Sequence, residues 1–141
     1  MSELYLFDTN ILVHLIRDDR TGQEIKARYT PFTRNPKPLI CSVTDGELRS
    51  LALQFLWGEQ KLDQMDFTLG YFGRVPIEHP ELMQAYAVLD AYSKRMGIKM
   101  GKNDAWIAAA VISADARLVT TDGDFEHLAP SIISVDKIDL R

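Results

Sequence analysis

The sequence of 141 residues has one cysteine and three histidines, so it offers few soft metal ligands. A single cysteine, Cys41, cannot form an internal disulfide, which is typical of a reducing compartment, and its apolar neighbours predict a buried strand residue. The histidines His14, His79 and His127 share no spacing, and we expect none of them to be catalytic. The sequence therefore gives no support to a zinc-type site of cysteine and histidine.

Long hydrophobic runs are also absent. No apolar run approaches the ~18 residues that are needed to cross a bilayer. The N-terminal Met-Ser-Glu leads straight into an apolar segment, which predicts that there is no secretion signal. We therefore expect a cytoplasmic protein without a membrane partner.

Positive charge is scarce for a protein that would bind nucleic acid. Sixteen basic residues stand against 20 acidic residues, which gives a net charge of −4, the wrong sign for such a binder. Setting aside four acids that are grouped below as a metal site leaves 16 against 16. The net charge therefore neither supports nor excludes a polyanionic substrate.

Apolar residues are plentiful enough, at 46%, to form a core. The length fits one domain over residues 1–141. Short apolar runs predict strands at residues 4–7, 39–41, 75–77, 117–120 and 132–135. Helical periodicity predicts helices over residues 10–17, 21–33, 44–57, 62–72, 80–96 and 104–114, with a further helical turn at 124–128. This alternation predicts an α/β fold.

Two carboxylates follow buried strands directly. Asp8 ends the first run and precedes an apolar helix, and Asp122 ends the run near the C-terminus. In parallel α/β sheets, ligands bind at the carboxyl ends of the strands. If the two strands are neighbours, Asp8 and Asp122 meet at one edge of the sheet.

Four acids share this kind of position, at a strand end or in the first turn of the following helix: Asp8, Glu47, Asp104 and Asp122. Each has a plain structural explanation. Asp8 fits a helix N-cap, Thr44 and Glu47 have the spacing of a capping box, Asp104 complements a helix dipole, and Asp122-Gly123 is an ordinary turn pair.

Taken together, the four acids favour a metal site. Two like charges ~6 Å apart repel by about 3 kcal/mol at an effective dielectric constant of ~20, so such a group is costly unless a cation fills it or protons bind. Ligation by carboxylate oxygens alone suits Mg²⁺ or Mn²⁺. Such ions activate water and stabilise phosphoryl displacement. Four polar residues could orient the ligands or serve only as local caps, namely Thr9, Asn10, Asn103 and Thr121.

The same residues resemble the motifs of PIN-domain ribonucleases, and most of all the toxins of VapBC-type toxin–antitoxin pairs. The matching segments follow in order along nearly the whole chain: Asp8-Thr9-Asn10, Glu47-Leu48, Asn103-Asp104 with Trp106-Ile107-Ala108-Ala109, and Thr120-Thr121-Asp122-Gly123-Asp124-Phe125. The last two segments are the more specific.

This resemblance implies a single PIN-like nuclease domain. Its fold would be a three-layer sandwich, with a parallel sheet of four or five strands in the order 3-2-1-4-5 and helices on both faces. Its activity would be Mg²⁺- or Mn²⁺-dependent endoribonuclease cleavage of RNA. The matched metal and catalytic residues would be Asp8, Glu47, Asp104 and Asp122, with Asp124 as a further ligand. Its partners would be a small antitoxin that blocks the site and a second copy in a homodimer.

Other interpretations remain open at this point. The protein could be a PIN-domain nuclease of RNA processing, a phosphohydrolase with Asp8 as covalent nucleophile, or a PIN-like module that binds without cutting. The basic residues Lys94, Arg95, Lys99 and Lys102 run without an acid between Asp90 and Asp104, either as a solvated helix end or as a rim that contacts phosphate. Five aromatic residues are expected mostly in the core, with some in an antitoxin groove or dimer seam: Phe55, Trp57, Phe67, Tyr71 and Phe72.

Overall fold

A computed structural model describes residues 3–140. The strands are β1 (Tyr5–Phe7), β2 (Leu39–Cys41), β3 (Gly73–Val75), β4 (Arg117–Thr120) and β5 (Val135–Lys137). The helices are α1 (Thr9–Arg17), α2 (Arg20–Tyr29), α3 (Ser42–Gln54), α4 (Glu59–Tyr71), α5 (Pro80–Arg95) and α6 (Lys102–Ala114), and a 3-10 helix covers Gly123–Leu128.

All five strands form one parallel sheet in the order β3-β2-β1-β4-β5. The predicted strand order is therefore confirmed. In the centre, Leu6 lies level with Leu39 of β2 and with Leu118 of β4. The chain runs outward in opposite directions on the two sides of β1, so the switch point of the topology lies between β1 and β4.

Both faces of the sheet are buried, as the continuous apolar strands predict. Neighbouring residues of β1 point to opposite faces, so Phe7 joins the core beneath α1, α2 and α4, whereas Leu6 joins the core beneath α5 and α6. The same alternation puts Val119 in the first core and Leu118 in the second. Helices therefore cover both faces of the sheet. The central strands are accessible only at their C-terminal ends, and this edge of the sheet is called the rim below.

Two edge strands differ from their predicted positions. β3 was predicted at residues 75–77 but spans Gly73–Val75, because Pro76 has no N–H to donate and the pairing ends before it. β5 was predicted at 132–135 but spans Val135–Lys137. Ile132 and Ile133 instead donate their backbone N–H groups to the carbonyl of Leu128 and pack below the 3-10 helix.

Several helix boundaries also differ from prediction. α2 ends at Tyr29 rather than at residue 33, because Thr30 adopts a left-handed conformation with φ of 42°. α3 begins at Ser42 and ends at Gln54, and Gly58 is the N-cap of α4 rather than the stop of α3. α6 starts two residues earlier than predicted, at Lys102.

The aromatic residues of the α3–α4 region divide into two groups. Trp57 and Phe72 are buried in the core as predicted, and Cys41 is fully buried in β2. Phe55 and Phe67 are 43% and 56% exposed, so these two aromatic residues lie outside the core. No helix within residues 3–140 combines the length and the apolar character needed to cross a membrane.

Candidate metal centre

Asp8 lies where β1 ends and α1 begins. It is 4% exposed and caps α1, with Oδ1 accepting the backbone N–H of Thr9 at 2.8 Å. Its other oxygen, Oδ2, accepts the hydroxyl of Thr120 at 2.7 Å. Asp8 is therefore the N-cap of α1, as one interpretation predicted, and it also lies at the rim, as the other predicted.

Thr120 joins the two strand ends. Its Oγ1 accepts the backbone N–H of Asp122 at 3.0 Å while its hydrogen goes to Asp8. This chain of hydrogen bonds exists because β4 lies beside β1, with the N–H of Asp8 donating to the carbonyl of Val119 at 3.0 Å. The predicted adjacency of Asp8 and Asp122 at one edge is therefore present.

Asp104, Asp122 and Asp124 form an acidic group that could hold one cation. One ligand oxygen from each lies within 4.8 Å of the others. Asp104 comes from the first turn of α6, and Asp124 comes from the 3-10 helix, where its backbone N–H donates to Asp122 Oδ1 at 3.1 Å. Asp8 and Glu47 lie outside this group. Asp124, which sequence reasoning added only by resemblance, lies inside it.

Glu47 reaches the site from α3. Its Oε1 accepts the hydroxyl of Thr9 at 2.7 Å, and Thr9 Oγ1 lies 3.0 Å from Thr44 Oγ1. The capping-box interpretation is wrong, because α3 begins at Ser42 and its N-cap, Cys41, makes no side-chain capping bond. Glu47 is held by α1 instead.

Burial, together with repulsion from neighbouring acids, raises the proton affinity of Asp8 and Asp104. Burial raises the pKa of Asp8 to about 6, and the charges of Glu47 and Asp122 add to the effect against the lowering influence of the Thr120 and Thr9 hydrogen bonds. Burial, followed by the charges of Asp8, Asp122 and Asp124, raises the pKa of Asp104 to about 7, and a hydrogen bond with the Asp124 carboxyl contributes. Bound protons or a cation would therefore offset part of the negative charge of the site.

The donors present fit a hard divalent cation. All of them are carboxylate oxygens, which suit Mg²⁺ or Mn²⁺. Within residues 3–140, no lysine or arginine forms an ion pair with any acid of the group, whereas many acids elsewhere in the chain are paired. The uncompensated charge is what a metal ion would neutralise.

The other polar residues singled out by sequence have varied surroundings. Asn10 Oδ1 accepts the backbone N–H of Thr121 at 3.3 Å and so helps to hold the end of β4. Asn103 is exposed in the first turn of α6. Sequence reasoning missed Thr120 as a site residue, and the available signal was a hydroxyl at the end of β4, directly after the apolar pair Leu118-Val119.

The histidines lie in local contacts outside the acidic group. His14 Nδ1 lies 2.8 Å from Asp19 Oδ2, and His79 caps α5. His127 Nε2 lies 2.8 Å from the hydroxyl of Ser93.

The fold and this site define a parallel α/β protein with an acidic cluster at the switch point of its sheet. The PIN domain family matches residues 5–130. The chain belongs to the PIN domain family. No curated protein matches it in sequence.

Solved structures share the fold over nearly the whole chain. VapBC2 from Rickettsia felis bound to a promoter DNA fragment is 21% identical with a TM-score of 0.78, covering 96% of this chain and 99% of the other. DNA-bound VapBC from Salmonella typhimurium is 20% identical with a TM-score of 0.78, covering 96% and 98%. Mycobacterium tuberculosis VapC20, a toxin that cleaves the sarcin-ricin loop, is 16% identical with a TM-score of 0.68, covering 97% and 98%.

Proposed function

We propose that this chain is a divalent-metal-dependent endoribonuclease and the toxin of a toxin–antitoxin pair. The observation that carries the proposal is the group of Asp104, Asp122 and Asp124 at the switch point of a PIN-family fold. Residues 1–141 would form one nuclease domain that acts in the cytoplasm on RNA phosphodiesters.

Asp104, Asp122 and Asp124 would hold Mg²⁺ or Mn²⁺, with Asp8 and Glu47 as further ligands that complete the set of catalytic acids. When bound, such an ion supplies activated water and neutralises the charge that develops on the phosphate oxygens. Thr120 orients Asp8 and Asp122 relative to each other through its two hydrogen bonds. Thr9 fixes the Glu47 carboxylate at the same rim.

The toxin role is supported by the structures that share the fold. They include VapBC and FitAB complexes, some bound to DNA, and a toxin that cleaves the sarcin-ricin loop. By analogy, the partners of this chain would be an RNA substrate, a small cognate antitoxin and a second copy in a homodimer. The alternative of a PIN nuclease of RNA processing shares the chemistry and differs only in these partners.

The geometry gives less support to a phosphohydrolase with Asp8 as nucleophile. Both oxygens of Asp8 already accept hydrogen bonds, and the side chain is 4% exposed. Position 10, where a second acid would be wanted, carries Asn10, whose oxygen accepts a backbone N–H. A module that only binds RNA would have no need for three uncompensated carboxylates in one group.

The test is cleavage of structured RNA by the purified protein with Mg²⁺ or Mn²⁺, and again after chelation. We expect cleavage only with metal, and we expect Asp104→Asn to reduce the rate by roughly 10²–10³-fold because it removes a charged ligand. Asp63→Asn, a matched change at an exposed acid of α4, should keep the wild-type rate. Cleavage that survives chelation, or full activity of Asp104→Asn, would eliminate the nuclease proposal.

The toxin role is tested separately by expression in a bacterial host. Wild-type protein should arrest growth, Asp104→Asn should not, and co-expression of the product of a short neighbouring gene should restore growth. Normal growth of cells that contain active nuclease would remove the toxin role and leave the nuclease.

A further inference from the structure

A cavity of about 320 Å³ opens at the C-terminal end of α5, outside the acidic group. Its volume lies at the lower end of the range of ~300–1,000 Å³ that is typical of small-ligand sites. Its lining combines apolar and polar side chains, among them Asp90, Ser93, Lys94, Ile98, Lys99 and Met100. No step of the proposed reaction uses these residues.

The cavity is physically joined to the acidic group. Met100 lines the cavity, and a side-chain carbon on the next residue, Gly101, would lie 3.7 Å from Asp104 Oδ2. One residue spans ~3.8 Å along the chain, so the wall of the cavity lies within about 9 Å of the Asp104 carboxylate. A strand whose phosphodiester lies at the acidic group could extend into the cavity over that distance.

A second connection runs through Ser93, which is 2% exposed at the wall of the cavity. Its hydroxyl lies 2.8 Å from His127 Nε2, and His127 belongs to the same 3-10 helix as Asp124. The C-terminal end of α5 and the helix that carries an acidic ligand are thereby held together. A ligand in the cavity would be in a fixed position relative to the acids.

Four basic residues lie in or next to the lining of this cavity, in a protein whose net charge is −4. Lys94 and Arg95 occupy the last turn of α5, where the helix dipole favours them. Lys99 lies in the loop between α5 and α6, and Lys102 opens α6, the helix end where the dipole disfavours a cation. The dipole therefore explains two of the four basic residues and not the other two.

Lys99 and Lys102 also differ from Lys94 in their ion pairing. Lys94 Nζ pairs with Asp90 Oδ2 at 2.9 Å, whereas Lys99 and Lys102 form no ion pair with any residue of the 3–140 range. Both side chains are exposed. Their charge is available to a ligand that approaches the acidic group, and only an anionic ligand would use it.

We propose that Lys99, Lys102 and the cavity form a subsite for the RNA strand beside the cleaved phosphodiester. The two lysines contact backbone phosphate, and one unpaired nucleoside enters the cavity against Ile98 and Met100. This inference rests on the proposed nuclease function and deepens it. It explains how a protein of net charge −4 holds RNA next to a group of carboxylates.

The first test measures binding of a fluorescent single-stranded RNA to the full chain carrying Asp104→Asn, with Mg²⁺, over a series of salt concentrations. Lys99→Ala and Lys102→Ala should each weaken binding roughly 3–10-fold and reduce the slope of log affinity against log salt by about 0.7, the value of one phosphate contact on a single strand. Lys61→Ala, at an exposed lysine of α4 on the other face, should change neither quantity. Equal small effects of all three variants would overturn the subsite.

The second test probes the cavity with RNAs that carry one abasic ribose at each successive position. An abasic ribose at one position near the cleavage site should weaken binding to the protein with the wild-type cavity. In Ile98→Trp, whose larger side chain fills the cavity, abasic and intact RNA should bind equally well. Uniform tolerance of abasic positions would overturn the nucleoside pocket. If the wild-type protein cuts RNA while these variants behave as the wild type, the subsite is wrong and the nuclease stands. If the wild-type protein cuts no RNA, the proposed function itself fails.

Discussion

Thr9 connects two helices of the site through a single hydroxyl. Its Oγ1 lies 2.7 Å from Glu47 Oε1 and 3.0 Å from Thr44 Oγ1. Since the Thr9 hydrogen goes to Glu47, Thr44 must donate its own hydrogen to Thr9. The three polar groups are thus mutually satisfied at a position where Thr9 is 6% exposed.

At this scale we predict the effect of Thr9→Val, which keeps the shape of the side chain and removes the hydroxyl. Glu47 loses its donor and the buried Thr44 loses its acceptor, so metal affinity and RNA cleavage should fall roughly 10–100-fold. The free energy of unfolding should also fall by about 1–3 kcal/mol. Calorimetric titration with Mn²⁺ and urea unfolding measure the two effects.

Thr9→Ser is the matched control because it keeps the hydroxyl and removes one methyl group. It should retain most of the metal affinity. If Thr9→Val bound Mn²⁺ and cut RNA like the wild type, the orientation of Glu47 by α1 would have no functional weight.

At the scale of elements, the α1–α2 hairpin holds the helix on which Thr9 sits. Gly22 of α2 packs directly on the end of α1, and a side-chain carbon at this position would lie 2.1 Å from the backbone oxygen of His14. Real contacts are never this short, and a backbone oxygen cannot move aside as a flexible side chain does. The close approach of the two helices therefore depends on glycine.

We predict that Gly22→Ala separates the hairpin and lowers the free energy of unfolding by about 2–4 kcal/mol, through overpacking against backbone. The matched control is Gly70→Ala in α4, where nothing lies within 4 Å of the new carbon. There the loss of backbone entropy in the unfolded chain should stabilise the protein by about 0.4–1 kcal/mol. Urea unfolding of the two variants should give shifts of opposite sign, and equal shifts would contradict the packing argument.

The elements also differ in how far the sequence predicted them. β1, β2 and β4 were predicted within one residue because both of their faces are buried, which leaves an uninterrupted apolar run. The edge strands β3 and β5 were displaced because only one side pairs, so apolar content is a weaker guide there. The 3-10 helix appeared as the expected turn, and it starts one residue earlier, at Gly123.

At the scale of the whole molecule, the acidic group links stability to pH. The folded state raises the pKa of Asp8 to about 6 and that of Asp104 to about 7, both above their ordinary value of 3.8. The folded metal-free protein therefore binds more protons than the unfolded chain between about pH 4 and pH 7. Its stability falls as the pH rises through this window.

We predict that the metal-free protein loses about 1–2 kcal/mol between pH 5.5 and pH 8, after allowance for the partial exposure of Asp104. The melting temperature should fall by roughly 4–8 °C. Saturating Mg²⁺ should stabilise the protein more at pH 8 than at pH 5.5, because the ion competes with protons for the same oxygens. Thermal melts at both pH values, with chelator and with Mg²⁺, measure these shifts.

Asp104→Asn serves as the control, because it removes the carboxyl with the higher pKa. Its metal-free melting temperature should depend on pH less than that of the wild type. A wild-type protein that gains stability as the pH rises from 5.5 to 8 in chelator would contradict the electrostatic account of the group.

The sequence by itself determined the class of fold, the central strands and the acids that follow them, because burial on two faces and helix starts leave local patterns that can be read residue by residue. It also identified the basic run near α5. The tertiary structure alone decided which acids come closest, since the mutual distances of Asp104, Asp122 and Asp124 depend on how α6 and the 3-10 helix pack. The tertiary structure alone showed that the hydroxyls of Thr120 and Thr44 hydrogen-bond to Asp8 and Thr9, because hydrogen bonds between residues far apart in sequence leave no local pattern.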